Sequence, residues 1–600
     1  ALAAALAPAG VFTALFGTRF GDVAAAAPAY LVAMAALGVG RVLAAERCAR
    51  HGPWAAVALL TLAAVVQAVL VTRADSAAGV VQATLAATCL LVGTLAVVPL
   101  VRPVPRRSLR LLAGAATRLR RPDVAAVAGL TVAALAVRLA VDRGLWVDEA
   151  ISVELARRPL GAMLDQMRSA DVHPPLHAVV LWLTVRVAGF SELAVRLPSI
   201  LAGTALVPAL WLTGRSLYDR RTGLVAAALG AVAPLLVWYS QEARMYAFFM
   251  LFAVLAVWAQ VAAVRRGRTV HWLAYAAATA ALVWTQYFGA LVVAVQQAAF
   301  AAAVVLAWRR GDRPGAARIA RGWVLSGLAV AAALAPLAPL ASDQLAAYSD
   351  RRAAAVPSTA GAGATSAVNH LSIYVVLANV VWALVGFHAD RTMSQIVALW
   401  PLAMMVALLV LGRRRSGATT LLVAVAVVPA IVLFVVGTNK RDLFELRYFA
   451  AAAPVAVLLG ARLLALVTRG RWALRAVTAL AVAVLALGLV DQQLNGANPR
   501  LYDFRGAIGE IRQRAEPGDT ILYAPSYLAT VVDYYGDDVT ARPLGSTPPA
   551  GGGVFVVATF RTIAERDTAA EVGTQLTRLE RDHRLVGRFD RANVRVWELR

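Results

Sequence analysis

Two adjacent carboxylates, Asp148 and Glu149, stand where a long apolar run ends, within Leu145-Trp146-Val147-Asp148-Glu149-Ala150. The apolar run before them covers residues 124–141. Carboxylates at the mouth of a membrane helix are costly to keep there, and they are more often functional than decorative. We therefore predict that Asp148 and Glu149 form an acid/base centre at a membrane surface.

Four further groups of polar residues stand at the ends of other apolar runs. They are Asp171-Val172-His173-Pro174-Pro175-Leu176, Ser240-Gln241-Glu242-Ala243-Arg244-Met245-Tyr246, Gln286-Tyr287 and the stretch 439–448. Packed together, such helix ends would line a polar cavity in which carboxylates accept protons and arginines hold a phosphate. This inventory suits the attack of a hydroxyl on a lipid-linked sugar, since cationic groups stabilise the departing phosphate.

The composition is that of a membrane protein. Of its 600 residues 60% are hydrophobic, and the mean hydropathy is +0.68, which excludes an ordinary soluble protein. Many apolar runs reach the roughly 17–25 residues that a helix needs to cross a bilayer. The net charge of +24 comes from arginines clustered between these runs, which is typical of cytoplasmic loops. We therefore expect membrane lipids, and no nucleic acid, as partners.

We predict four parts along the chain. Residues 1–101 form a transmembrane appendage with spans near 24–45, 54–73 and 78–101, and the run 1–16 is left open as a further span. Residues 102–122 form a basic linker, which anionic lipid attracts to the inner leaflet. Residues 123–491 form the transmembrane core. Residues 492–600 form a small α/β domain outside the cytoplasm.

The arginine clusters also decide the predicted topology of the core. If the short run 176–189 crossed the membrane, every later arginine cluster would lie outside, against the positive-inside rule. We therefore predict an amphipathic helix at the outer interface there, and another juxtamembrane or re-entrant helix at 371–387. The whole chain then has about 13–15 transmembrane helices. The predicted core spans are 123–141, 197–214, 222–239, 244–264, 271–285, 288–308, 323–341, 394–412, 418–437, 447–467 and 474–491.

The last hundred residues differ from the rest in composition. Charge occurs throughout, and short β-branched runs alternate with amphipathic stretches. We predict strands at 520–523, 553–558 and 594–597, and helices near 504–514 and 568–583. We find no nucleophile–base pair and no phosphate-binding loop here, so no chemistry is assigned to this domain. It is left open whether it binds an acceptor glycan, binds a partner protein or covers the cavity.

Taken together, these motifs resemble the GT-C superfamily of membrane glycosyltransferases. Within it, they are most similar to the protein O-mannosyltransferases and aminoarabinose transferases of glycosyltransferase family 39. The residues that carry the resemblance are the motifs at 146–150, 171–176 and 240–246, together with Arg196-Leu197-Pro198-Ser199 and Leu446-Arg447-Tyr448-Phe449. Their order and spacing cover roughly residues 123–490.

The resemblance implies a GT-C fold and a polyprenyl-phosphate sugar donor, transferred with inversion at the anomeric carbon. It implies that Asp148, in the first outer loop, is the catalytic base, with Glu149 beside it. Arg244 and Arg447 would meet the donor phosphate, and His173 would line the cavity. The full set of expected substrate-binding residues is Asp171, His173, Glu242, Arg244, Tyr246, Arg447 and Tyr448.

Structural explanations for the same residues stay open. Asp148 and Glu149 would also suit the first turn of a helix, and Glu242 with Arg244 would also suit a local ion pair. Asp171 and His173 are also compatible with a divalent metal site completed by Asp148 or Glu242. No metal ligand is assigned, and a divalent metal is the one cofactor left open.

Two other classes of protein compete with the enzyme. A transporter or flippase for lipid-linked glycans would show internal repeats and charge near the bilayer midplane. Here the charge lies at outer helix ends and the halves show no repeat, which favours a transferase over a transporter. A non-catalytic scaffold is the third alternative. The identity of the sugar, mannose or a pentose, stays open. The acceptor hydroxyl is expected on the extracytoplasmic side of the cell membrane, and it stays open whether it belongs to a glycan, a lipid or a protein.

Overall fold

The computed structural model describes residues 122–355, 384–386, 412, 416–439, 446–495, 498, 501–549, 552–559 and 563–600. The predictions made for residues 1–121, 356–383, 387–411 and 440–445 lie outside these ranges. The chain divides into two compact units, Ala1–Asp142 and Arg143–Arg600. The described part of the first unit is helix α1 (Pro122–Leu139), which matches the predicted span at 123–141.

The second unit joins a helical membrane core to a small domain with one sheet. The core helices are α2 (Val147–Arg157), α3 (Leu160–Ala170), α4 (Leu176–Ala188), α5 (Glu192–Leu217), α6 (Arg220–Val232), α7 (Pro234–Ser240), α8 (Tyr246–Arg266), α9 (Thr269–Thr285), α10 (Gly289–Arg309), α11 (Arg313–Leu334), α12 (Leu337–Ala355), α13 (Gly417–Asn439), α14 (Ala452–Val467) and α15 (Arg471–Leu494). A 3₁₀ turn, Leu446–Phe449, precedes α14.

Six of the described helices (α1, α5, α8, α10, α11 and α15) are long and apolar enough to cross a membrane, or seven spans if α6 and α7 count as one. This confirms the predicted class of polytopic α-helical membrane protein. The span predicted at 222–239 is not straight, because α6 and α7 meet at a bend of 58°. The bend falls at Pro234, the first residue of α7, and proline removes a helix hydrogen bond.

Helix α11 begins earlier than the sequence predicted, whereas α4 is as short as predicted. Helix α11 begins at Arg313, ten residues before the predicted span at 323–341, because Asp312 caps it by accepting a 2.9 Å hydrogen bond from the Gly315 amide. Helix α4 has 13 residues, or about 20 Å at 1.5 Å per residue. That length is too short to cross a hydrocarbon core of about 30 Å.

The core of the membrane part lies among α5, α6, α8 and α14, whose inward residues form one apolar cluster. Helices α5 and α6 approach closely at two glycines. A Cβ added at Gly223 would lie 2.6 Å from the carbonyl oxygen of Trp211, so only glycine permits this crossing.

The C-terminal domain is an α/β sandwich built on five strands. Its elements are α16 (Phe504–Arg514), β1 (Thr520–Ala524), a 3₁₀ turn (Ser526–Leu528), α17 (Ala529–Tyr535), β2 (Thr540–Pro543), β3 (Val554–Thr559), α18 (Ile563–Leu579), β4 (Leu585–Arg591) and β5 (Val594–Leu599). The strand order is β2-β1-β3-β5-β4. The pairs β1–β2 and β1–β3 are parallel, and β3–β5 and β4–β5 are antiparallel.

The central strands of this sheet are buried on both faces. Ile521 and Phe555 face α16 and α17, whereas Leu522 and Val556 face Val572 of α18. This alternation follows the two-residue period of a strand. The domain and three of its strands match the sequence prediction, which missed β2, β4 and α17.

Candidate active site

The two adjacent carboxylates stand in the first turn of α2 but point into different surroundings. The Asp148 side chain is 23% exposed, whereas that of Glu149 is fully buried. The helix begins after Trp146, whose amide donates to Glu149 Oε2 at 3.3 Å. This is half of a capping box, in which a glutamate reaches back to the start of its own helix.

Arg196 of α5 holds the Glu149 carboxylate. Its Nε and one terminal nitrogen each donate to a different Glu149 oxygen at 2.7 Å, which makes a bidentate ion pair. The same guanidinium donates to the carbonyls of Arg143 at 2.7 Å and Gly144 at 2.9 Å. Ala243 adds a backbone amide to Glu149 Oε1 at 2.8 Å. The carboxylate is therefore satisfied entirely by the protein and anchors the loop that precedes α2.

Asp148 faces two arginines instead. Its Oδ2 accepts a 2.6 Å hydrogen bond from Arg447, in the 3₁₀ turn before α14, and lies 4.0 Å from Arg244. Arg244 also donates to the Ser152 hydroxyl at 3.1 Å. Its Nε is buried and has no hydrogen-bond partner among the described residues. Burial opposes the charge of Arg244, but the nearby Tyr246, Asp148 and Asp171 outweigh it and raise the pKa of Arg244.

Asp171 and His173 form a second polar pair beside these arginines. Nδ1 of His173 lies 2.6 Å from Asp171 Oδ1, which also accepts the Val172 amide at 2.6 Å. Burial favours the neutral acid, but the contacts with His173, the charge of Arg244 and the Val172 amide outweigh it and lower the pKa of Asp171. The turn is fixed from α12 by Gln344, which donates to the His173 carbonyl at 3.1 Å.

These groups line one cavity of about 470 Å³. Its lining residues are Asp148, Ile151, Glu154, Leu155, Arg158, Gln166, Ala170, Asp171, Val172, His173, Arg244, Arg447, Tyr448 and Thr530. A smaller space of about 30 Å³ adjoins it and reaches His177. Burial and the charges of Arg244 and His173 lower the pKa of His177 to about 3, so this imidazole is neutral at pH 7.

The structure thus brings six of the predicted site residues into one cavity: Asp148, Asp171, His173, Arg244, Arg447 and Tyr448. Three others are buried away from it. Glu149 pairs with Arg196, Glu242 accepts a 2.5 Å hydrogen bond from the Trp238 indole, and the ring of Tyr246 packs on Tyr239. The side chains of these three residues therefore do not line the cavity.

Sequence reasoning missed three contributors. Arg196 belonged to a recognised motif but had no assigned partner, because nothing local connects it to Glu149, 47 residues earlier. His177 lies in the first turn of α4, four residues after His173, a spacing that could have drawn attention to it. Thr530 comes from the C-terminal domain and carries no sequence signal at all.

The described side chains can be compared with the metal site that the sequence left open. Within the described ranges, no three His, Cys, Asp or Glu side chains are grouped closely enough to hold a metal ion. Asp171 and His173 contact each other directly, and Arg244 adds positive charge beside them. The cavity lining holds three arginines, Arg158, Arg244 and Arg447, and three carboxylates, Asp148, Glu154 and Asp171.

The lowered pKa of Asp171 gives a testable pH dependence. A carboxyl whose pKa is lower in the folded state stabilises the fold above its ordinary pKa of about 3.9, and this contribution is lost as the pH falls through the folded value. We expect Asp171→Asn to lower the melting temperature at pH 5–8, with the difference from wild type shrinking below about pH 4. Thermal unfolding in detergent across this range measures it, and exposed Asp165→Asn is the control. A difference that grows toward low pH would contradict the assignment.

Two solved membrane-protein structures align with parts of this chain. The ArnT of Cupriavidus metallidurans bound to undecaprenyl phosphate aligns at 14% identity and a TM-score of 0.43, over 79% of this chain and 97% of that one. The Archaeoglobus fulgidus oligosaccharyltransferase tethered to an acceptor peptide aligns at 12% identity and a TM-score of 0.45, over 71% of this chain and 64% of that one. No curated protein matches.

A family model matches the sequence itself. Residues 172–338 match the family described as dolichyl-phosphate-mannose-protein mannosyltransferase. This segment includes His173, Arg196 and the 240–246 motif, but it leaves out Asp148 and Arg447. The match confirms the resemblance that the motifs indicated. The chain therefore contains, at residues 172–338, a segment that is similar to the dolichyl-phosphate-mannose-protein mannosyltransferase family.

Proposed function

We propose that this protein transfers a monosaccharide from a polyprenyl-phosphate donor to an acceptor hydroxyl, with Asp148 as the general base. The observation that carries the proposal is the contact of Asp148 with Arg447 and Arg244 in one cavity at the end of membrane helices. A base and a cationic phosphate site must lie this close for such a displacement, because the attacked carbon lies between them.

The two arginines are the proposed phosphate site. Arg244 donates to the Ser152 hydroxyl and keeps a buried Nε–H that has no hydrogen-bond partner among the residues that the structure describes. Arg447 is 25% exposed and donates a 2.6 Å hydrogen bond to one oxygen of Asp148. Guanidinium groups bind phosphate oxygens through several parallel hydrogen bonds. A donor phosphate would compete for Arg447 and so free the Asp148 oxygen to face the acceptor.

In the proposed step, the acceptor oxygen attacks the anomeric carbon while Asp148 takes its proton. The bond between that carbon and the phosphate oxygen breaks on the opposite face, and the configuration inverts. The polyprenyl phosphate leaves with its charge held by Arg244 and Arg447, which are fixed before the reaction and need little reorganisation. Glu149 takes no part in the proton transfer; it positions the loop that carries Asp148.

The arginines at the opposite helix ends support a proposal for the side of the membrane on which the cavity lies. Helix α8 begins at Tyr246 beside the cavity and ends at Arg265 and Arg266, and α10 ends at Arg309. Arginine-rich ends are retained in the cytoplasm. We therefore place the cavity and the C-terminal domain outside the cytoplasm, where the acceptor would be a glycan, a lipid or a protein.

The donor is tested directly with purified protein. Radiolabelled polyprenyl-phosphate mannose and pentose donors are each mixed with a membrane extract from the source cells, with and without a chelator. The name of the matched family makes the mannose donor the first expectation. Label moved from one donor, and retained on it in Asp148→Asn, supports the proposal. Tight binding of lipid-linked glycan without donor consumption would instead favour a transporter or a scaffold.

A separate prediction tests the proposed phosphate site. We expect Arg447→Gln to lower kcat/KM for the donor about ten- to hundredfold, because a hydrogen bond to a charged group contributes about 1.5–3 kcal/mol. Arg168→Gln is the matched control, since that arginine pairs with Asp343 on the surface and does not line the cavity. Steady-state kinetics at varied donor concentration measures both. An Arg447→Gln enzyme with the donor kinetics of wild type would remove Arg447 from the phosphate site.

A further inference from the structure

The C-terminal domain packs directly on the helix that carries Asp148. Ala150 of α2 is 2% exposed and belongs to the same apolar cluster as Phe504 and Ile508 of the domain. Helix α17 contacts α2, and Thr530 of α17 lines the cavity itself. The C-terminal domain therefore forms part of the wall of the cavity. This position bears on the role of the domain, which the sequence left open.

One side chain of this domain reaches the loop before α2. The hydroxyl of Tyr535 accepts a 2.6 Å hydrogen bond from the backbone amide of Leu145 and donates a 2.6 Å hydrogen bond to Glu192 of α5. Leu145 is fully buried, so its amide would lose its hydrogen-bond acceptor without this hydroxyl. Glu192 is in turn paired with Arg505 of the same domain at 3.1 Å.

The loop 143–149 is thus held from two directions. Arg196 of α5 binds its carbonyls at Arg143 and Gly144, and Tyr535 binds its amide at Leu145. The space between them is tight, since a Cβ added at Gly144 would lie 3.0 Å from Cβ of Arg505 and 3.2 Å from the Tyr535 hydroxyl. Three residues after Leu145, the chain reaches Asp148.

We propose that Tyr535 is a positioning residue for Asp148, through which the C-terminal domain becomes part of the catalytic site. The hydroxyl fixes the start of α2, and with it the distance from the Asp148 carboxylate to the bound sugar. Displacements of about 1 Å at a reacting group can cost roughly a hundredfold in rate. This inference rests on the function proposed above, in which Asp148 accepts the proton.

The neighbouring tyrosine supplies a matched control. Tyr534 also uses its hydroxyl to dock the domain on the membrane core, donating to the Phe190 carbonyl at 2.7 Å between α4 and α5. It does not hydrogen-bond to loop 143–149. Tyr535→Phe and Tyr534→Phe therefore remove the same atom from the same interface, and only the first removes it from the loop of Asp148.

The first readout is hydrogen exchange in the full-length protein, resolved on peptides that cover residues 143–150. We expect Tyr535→Phe to raise the exchange rate of the Leu145 amide about tenfold or more, and Tyr534→Phe to leave it unchanged. Equal exchange in wild type and Tyr535→Phe would overturn the inference. This comparison needs no turnover, so it holds even if the proposed donor is not consumed.

The second readout separates positioning from general docking. We expect Tyr535→Phe to lower kcat roughly tenfold with the donor KM within about twofold of wild type, because the phosphate site stays in place. Tyr534→Phe should keep both parameters within about twofold. An equal fall of kcat in the two variants would mean that docking of the domain alone matters, which overturns the inference. Failure of wild type to use any donor would count against the proposed function instead.

Discussion

Asp148→Asn is expected to lower sugar transfer by about 10²–10⁴-fold while leaving the protein folded. The amide has nearly the same shape as the carboxylate but cannot take the proton of the acceptor hydroxyl, and general-base catalysis typically contributes this factor. Little stability should be lost, because the Asp148 side chain is 23% exposed and its ion pair with Arg447 is at the cavity surface. Initial rates with a labelled donor, together with thermal unfolding in detergent, measure both effects.

Asp165→Asn is the control for this prediction. That carboxylate lies on α3 with 78% of its side chain exposed, and it does not line the cavity. Its variant should keep wild-type rates. Asp148→Glu adds a second comparison, since it restores the carboxylate at a displaced position and should recover part of the rate. Turnover in Asp148→Asn within a factor of two of wild type would rule out Asp148 as the base.

Glu149→Gln is expected to act on the fold rather than on the chemistry. Glu149 and Arg196 are both buried and joined by two 2.7 Å hydrogen bonds. Removing one partner of a buried ion pair leaves the other charge uncompensated, which typically costs about 3–5 kcal/mol. We expect a large fall in melting temperature and poor recovery of monodisperse protein, measured by scanning fluorimetry and gel filtration. Neither change should appear in Asp148→Asn.

Glu154→Gln is the matched control on the same helix. Its carboxylate is 45% exposed and pairs with Arg157 and Arg158 at 3.9 and 3.6 Å on the surface, where such pairs contribute about 0–1 kcal/mol. Arg196→Met should destabilise as strongly as Glu149→Gln, and the double variant should lose less than the sum. A Glu149→Gln protein as stable as wild type would contradict the structural role of this pair.

The contrast between Asp148 and Glu149 shows that their surroundings give two adjacent carboxylates different roles. Asp148 and Glu149 are adjacent in the chain, and successive residues on a helix point about 100° apart. One side chain therefore reaches the cavity, and the other turns toward Arg196 of α5. The adjacent acidic pair indicated a functional loop, and only its first member faces the cavity.

The sequence by itself determined the class of the protein and the region of the site. Runs of apolar residues and arginine clusters are local signals set by the bilayer, so the polytopic helical class could be predicted from them. The motif order likewise indicated a resemblance to this family, which the match over residues 172–338 supports for that segment. The strands at 520–524, 554–559 and 594–599 were visible in β-branched runs for the same local reason.

Tertiary structure alone decided which residues work together. The partners Glu149 and Arg196 are 47 residues apart, Asp148 and Arg447 are 299 apart, and Leu145 and Tyr535 are 390 apart. Hydropathy and spacing record which segments form helices, but not which side chains meet once the helices pack. The burial of Glu149, the pairing of Asp148 with two arginines and the contact of the C-terminal domain with the cavity all follow from that packing.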